Sequence, residues 1–289
     1  MKSIRFLLAP ALLALLFSTA TVFAAALDNW HWRNPLPDGN PQAGPHTLYG
    51  IVFTNGIFLA VGDSGTASIS TDGTNWTESA TATTNKLNDV IFAGGLYLAV
   101  GDGGAVETST NGTNWVWRVS GTTNSLVAAA YANGKYLAVG ANAVITSSDS
   151  VNWSPAVSGL NGAKGVAGGS AGFVAVGSTN QVFFSLDGST WTSQLLSAPG
   201  SVFFGAPLQN VIVTYANGAY LIGSYRYATS MSADTFIFRS TDGNFWTTNV
   251  LGNVFTGAGG FSYDFFCVWK WGFDRSRNGK LKFLSAIFH

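Results

Sequence analysis

Short apolar runs closed by glycine, asparagine or aspartate recur along most of the chain, and residues 87–120, LNDVIFAGGLYLAVGDGGAVETSTNGTNWVWRVS, are the clearest sample. Their punctuation predicts four strands: 89–93 (a), 96–100 (b), 105–109 (c) and 115–119 (d), separated by Gly94-Gly95, Asp102-Gly103-Gly104 and Asn111-Gly112. Asn55-Gly56, Asn133-Gly134 and Asn217-Gly218 predict tight hairpins, because Asn and Gly accept the positive φ that two-residue turns require. No segment of the body sustains a 3.6-residue period, which excludes a helical repeat.

The pattern is periodic on a longer scale. Trp76, Trp115, Trp153, Trp191 and Trp246 each close a variant of Ser-x-Asp-Gly-x-x-Trp, and the first four stand 39, 38 and 38 residues apart. Upstream of each lies an Ala-Val-Gly-like run, at residues 60–62, 99–101, 138–140, 175–177 and 221–223. Four antiparallel strands in about 38 residues match one blade of a β-propeller. The expected architecture is therefore an all-β propeller with five recognisable blades at about residues 48–85, 86–124, 125–159, 160–200 and 208–250. Asp72, Asp149, Asp187 and Asp242, with Asn111 in the second unit, are expected to accept backbone N–H groups of their own turns. Each tryptophan is expected to cover the edge of its blade.

The repeated unit resembles the Asp-box (BNR) repeat propellers, a superfamily that includes sialidases and the photosystem II assembly-factor type of propeller. The resemblance covers about residues 48–250. The common Asp-box has one more residue between Asp and Gly than the turn from Ser70 to Trp76, and Ser150 stands where the third turn should have glycine. The resemblance to secreted bacterial arrays of this unit implies a binding or scaffolding module for protein or glycan, with a sialidase-like glycoside hydrolase as the alternative.

Composition narrows the class. With 14% aromatic and only 10% charged residues, the chain is globular rather than disordered. Residues 1–26 read as a signal peptide: Lys2 and Arg5 precede an apolar run at 6–17, and small residues around Ala24 and Ala26 suit cleavage. A secreted, periplasmic or cell-surface location without membrane insertion after cleavage is the expectation. The single cysteine, Cys267, excludes an internal disulfide framework. Residues 27–264 hold 13 acids against 7 bases, and this negative body argues against nucleic acid as a partner.

The two ends of the chain carry a further expectation. Asn29-Trp30-His31-Trp32-Arg33 parallels Asn114-Trp115-Val116-Trp117-Arg118 and reads as an isolated strand d, able to complete a partial sixth blade and close the ring. Residues 265–289 break the pattern and turn basic. Reading the codons of Trp269-Lys270-Trp271 one base later gives Gly, Asn or Ser, and Gly, which restores the repeat. The hypothesis is a frameshift within this tail, and an intact reading frame on resequencing the gene would refute it.

Candidate chemistry is sparse. The fifth unit has nine extra residues between strands b and c, read as a loop at 224–234, and Tyr225, Arg226, Tyr227 and Asp234 are its candidate ligand-binding residues. A second insertion, around 195–209, falls on the same side of the blades. A glycosidase would need paired carboxylates, and Glu78 and Glu107 are the only glutamates. Both stand beside repeat motifs, as do Arg118 and Arg239. His31, His46 and His289 are too scattered for a metal site, and no catalytic residue, metal or cofactor is expected.

Overall fold

The computed structural model describes residues 46–156, 160, 162–177, 180–197, 209–229, 232–255, 273–275 and 281–283. The chain divides into two compact units, Leu36–Ser262, and Met1–Pro35 with Tyr263–His289. The described part of the second is one antiparallel pair. The expected leader, the strand at 29–33 and most of the tail lie outside the described residues.

The larger unit holds five four-stranded sheets. The first contains β1 (Leu48–Thr54), β2 (Ile57–Gly62), β3 (Thr66–Ser70) and β4 (Thr77–Ala80); the second contains β5 (Leu87–Ala93), β6 (Leu96–Gly101), β7 (Val106–Ser109) and β8 (Val116–Trp117). The third is β9 (Ala128–Ala132), β10 (Lys135–Val139), β11 (Val144–Ser147) and β12 (Ser154–Pro155), and the fourth is β13 (Gly165–Gly169), β14 (Gly172–Val176), β15 (Gln181–Ser185) and β16 (Thr192–Leu195). The fifth is β17 (Gln209–Ala216), β18 (Ala219–Thr229), β19 (Ser232–Ser240) and β20 (Thr247–Phe255). In each sheet the strands pair antiparallel in chain order. Their innermost strands, β1, β5, β9, β13 and β17, pack on one another in succession, so these are propeller blades. In the smaller unit β21 (Phe273–Arg275) pairs with β22 (Leu281–Phe283).

The hydrophobic pattern follows from this stacking. The second strand of a blade has neighbours on both sides and both faces, so it reads as an unbroken apolar run: Leu98, Ala99 and Val100 are fully enclosed, as are Phe173, Val174, Ala175 and Val176. The fourth strand is an outer edge and is mostly exposed. In the second and third blades it is only two residues long, shorter than the expected 115–119, and short edges offer little template for unwanted pairing.

Four of the five repeat tryptophans reach further than the edge of their own blade. Trp115 of the second blade packs against a cluster containing Leu59 and Val61 of the first, and Trp153 of the third joins Leu98 and Val100 of the second. Trp191 likewise packs beside Leu137 and Val139 of the third blade, and Trp246 beside Val174 and Val176 of the fourth. The repeat tryptophan is therefore a wedge between consecutive blades. The reason is geometric: a turn that closes the third and fourth strands overhangs the face presented to the preceding blade.

The first blade is the exception that shows what the wedge does. Leu48 is 38% exposed, whereas Leu87, at the same register position one blade on, is sealed. Phe58 is partly exposed, while Tyr97, Tyr136, Phe173 and Tyr220 at the equivalent place in later blades are buried. Among the described residues, no blade covers this side of the first sheet.

Candidate functional site

The turn between the third and fourth strands is built the same way in every blade. Ser70 Oγ donates to Asp72 Oδ1 at 3.0 Å and accepts the Gly73 N–H at 2.8 Å. Asp72 Oδ1 accepts the N–H groups of Thr74 and Asn75 at 2.8 and 2.7 Å, and Trp76 Nε1 donates back to the Gly73 carbonyl at 3.2 Å. Asn111 does the same with its side-chain oxygen, accepting from Thr113 and Asn114. Asp149, Asp187 and Asp242 repeat the pattern, and Trp115, Trp153, Trp191 and Trp246 each bond the carbonyl three residues back.

These carboxylates are spent on their turns. The amides of Asn75 and Thr74 hold Asp72 well below the usual carboxylate range, and Asn152, through its amide and its side chain, does so for Asp149. The amides of Thr190 and Phe245 lower Asp187 and Asp242 in the same way. An acid so stabilised in its charged form is a poor proton donor or acceptor near neutral pH.

The stretch read as a loop at 224–234 is a continuation of the sheet. β18 and β19 keep pairing out to Thr229 opposite Ser232, and the fourth strand, β20, lengthens with them to Phe255. Alternating aromatic and β-branched positions, Tyr225, Tyr227 and Thr229 against Thr235 and Ile237, carry high strand propensity. The hairpin brings the four candidates together: Tyr225 stands opposite Thr235, Arg226 opposite Asp234, and Tyr227 opposite Ala233. Tyr225 is half-buried. Arg226 is only 6% exposed, with its guanidinium 5.2 Å from the Phe236 ring centroid, a cation–π stack that ties it to the blade. The side chains of Tyr227 and Asp234 lie outside the described part of the structure.

The remaining candidates are dispersed. Glu78 lies on β4 with His46 Nε2 at 3.7 Å, whereas Glu107 on β7 is sealed from solvent and cannot meet a substrate directly. Arg118 donates from Nε to Thr108 at 2.9 Å across its own blade. A groove of about 440 Å³ opens beside Asn124, Asn142 and Leu160, and no ionisable side chain lines it. Among the described residues no three His, Cys, Asp or Glu side chains are placed to hold a metal, and no helix is long and apolar enough to cross a membrane.

Sequence reasoning passed over the polar links between blades. Tyr136 donates its hydroxyl to the Ala93 carbonyl at 3.0 Å, and Tyr220 to the Gly172 carbonyl at 2.9 Å, each reaching the first hairpin of the preceding blade. Burial pushes the Tyr220 hydroxyl up to about 12. Asp89 on β5 accepts the Ala129 N–H at 3.0 Å, joining the inner strands of the second and third blades. A lone aspartate in an apolar strand was the only available signal.

No protein-family model matches the sequence, and no curated protein matches it significantly. Solved structures do. The extracellular domain of the putative hybrid two-component system BT4673 from B. thetaiotaomicron is 8% identical, with a TM-score of 0.52 over 83% of this chain and 37% of that one. YCF48 from Cyanidioschyzon merolae is 15% identical over 74% and 86%, with a TM-score of 0.44. The Pan2 WD40 domain of Neurospora crassa is 12% identical over 83% and 86%, with a TM-score of 0.49. At these identities the likeness is one of fold, the β-propeller.

Proposed function

We propose that the protein is an exported, non-catalytic propeller that binds a partner protein, with the extended hairpin of the fifth blade as its docking element. The observation that carries this reading is the departure of that blade from the others: β18 and β19 run to eleven and nine residues, against four to six in the corresponding strands of the other four. A rigid two-stranded arm is a better platform for recognition than a mobile loop, because less order is lost on binding. Arg226 is assigned to the foundation of the arm, held against Phe236, and Tyr225 and Tyr227, two positions apart on the same strand, are the candidates for recognition. Tyrosine suits that task by offering a large, stiff face and a polar tip.

The test is affinity capture from the extracytoplasmic fraction of the producing cell, followed by titration of the captured partner. The double variant Tyr225→Ala, Tyr227→Ala should weaken binding at least about tenfold, a loss of roughly 1.4 kcal/mol, with its melting temperature retained. Unchanged binding would remove the hairpin from the site. Capture of a glycan instead would redirect the partner class, and turnover of a chromogenic sialoside would overturn the non-catalytic reading.

A further inference from the structure

Glu107 is an acid in a place that holds an apolar side chain in the third, fourth and fifth blades and a small buried serine, Ser68 opposite Ala60, in the first. Cross-strand register puts it opposite Ala99, and the same position holds Ile145 opposite Ala138, Phe183 opposite Ala175 and Ile237 opposite Gly223. Ile145 and Phe183 belong to the apolar clusters shared with the preceding blade. Glu107 has no exposed surface at all. Its Oε2 accepts the Ala82 N–H at 3.2 Å, from the connection between β4 and β5, while Oε1 has no hydrogen-bond partner.

The surroundings favour the uncharged acid. The Thr81 hydroxyl and the amides of Ala82 and Thr83 are the polar groups acting on the carboxyl, and Ala99 and Trp117 flank it in the sheet. Burial outweighs those hydrogen bonds and pushes the Glu107 carboxyl up, above the usual carboxylate range of pKa. The charged residues of the adjoining elements are engaged elsewhere. Lys86 lies 4.1 Å over the Tyr49 ring, Asp63 accepts from Thr47, and Asp102 accepts from Asn88. Glu78 faces His46 and Asp89 holds Ala129. None of them compensates a negative charge on Glu107, and an ionised carboxylate with one bare oxygen in an apolar junction is strongly disfavoured.

We propose that Glu107 is a proton-dependent latch between the first and second blades: as the neutral acid it keeps residues 81–86 closed over the blade junction, and on ionisation it releases them. The ends of that connection are held independently, by Thr81 N–H to the Gly65 carbonyl at 2.8 Å and by Asn85 Nδ2 to the Asp102 carbonyl at 3.1 Å. Its middle, Ala82, rests on the carboxyl. Ionisation strengthens the one bond from Ala82 but leaves Oε1 charged and dry, so water must reach Glu107, and the segment with the fewest other anchors opens to admit it. The acid binds its proton more tightly in the folded chain than in the unfolded one. Its contribution to stability is therefore complete below the unfolded pKa, about 4.3, and is lost as pH rises through the higher folded value.

The second connection is an internal control, because residues 120–125 have the same turn chemistry, Ser120 Oγ donating to the Thr122 carbonyl, in the blade junction where Ile145 replaces the acid. Amide exchange of the full mature chain between pH 5 and 9, corrected for intrinsic rates, should show residues 81–86 losing about tenfold or more of their protection. Residues 120–125 should stay flat. Glu107→Gln keeps the shape without the charge and should hold residues 81–86 closed at every pH; Glu107→Ile, which copies the third blade, should do the same if the amide variant folds poorly. Equal pH dependence in both connections, or its persistence in either folded variant, overturns the latch.

Discussion

Leu59 of the first blade touches Gly112 of the second: a β-carbon built on Gly112 would stand 2.4 Å from Leu59 Cδ1, inside van der Waals contact. The turn glycine is the point at which one blade is pressed into the next. Gly112 also has φ at +77°, so two separate constraints exclude a side chain there. Gly73, the same residue of the first blade, has φ at +71° but meets only Phe58 of its own blade, at 3.6 Å.

Comparing these two glycines separates backbone strain from packing. Gly73→Ala should cost about 1 to 2 kcal/mol, the left-handed penalty alone. Gly112→Ala should cost about 2 to 5 kcal/mol, because overpacking is added to it. Urea unfolding of the two variants measures the difference, and equal losses would mean that the blade contact yields freely.

The wedge tryptophans should be unequal in a parallel way. Trp153 is 8% exposed between the second and third blades, so Trp153→Ala should cost about 3 to 5 kcal/mol. Trp76, half-buried with no described blade before it, should cost clearly less on the same substitution, as read by thermal unfolding.

Hydroxyl links between blades can be tested without disturbing packing. Tyr220→Phe leaves the Gly172 carbonyl without its donor and should cost about 1 to 3 kcal/mol, near the upper end because the bond is buried. Phe173 already stands at the equivalent position of the fourth blade, so the ring itself fits. A neutral outcome would show that water replaces the hydroxyl.

The turn aspartates predict the acid limb of stability. Asp149 and Asp187 have folded pKa values below their unfolded ones, so their contribution is present above about pH 3.9 and is lost as pH falls through the depressed folded values. Converting Asp149 to Asn, the residue type the second blade uses at Asn111, should lower stability at pH 7 and flatten its decline below pH 4. Urea midpoints between pH 2 and 7 check both, and an unchanged slope would show that the carboxylate is uncoupled from folding.

The sequence alone determined the turns and their count. Ser, Asp or Asn, Gly and Trp act within seven residues of one another, so the bonds from Asp72 to Thr74 and Asn75 and from Trp76 to Gly73 are local, and local chemistry is legible in a linear string. Strand boundaries followed to within a residue or two wherever glycine or asparagine punctuated them. Tertiary structure decided what each side chain meets once blades stack. That Trp115 serves the first blade, that Arg226 lies beneath its hairpin, and that Glu107 sits in a dry junction all depend on contacts far apart in sequence. The residues at 224–234 illustrate the divide: nine residues beyond the repeat length read as a loop, but cross-strand pairing out to Thr229 and Ser232, with a register shift between Tyr227 and Thr229, and the support of Phe236 under Arg226 make them a strand pair. The strand propensity of its aromatic and β-branched residues takes effect because partners stand across the sheet.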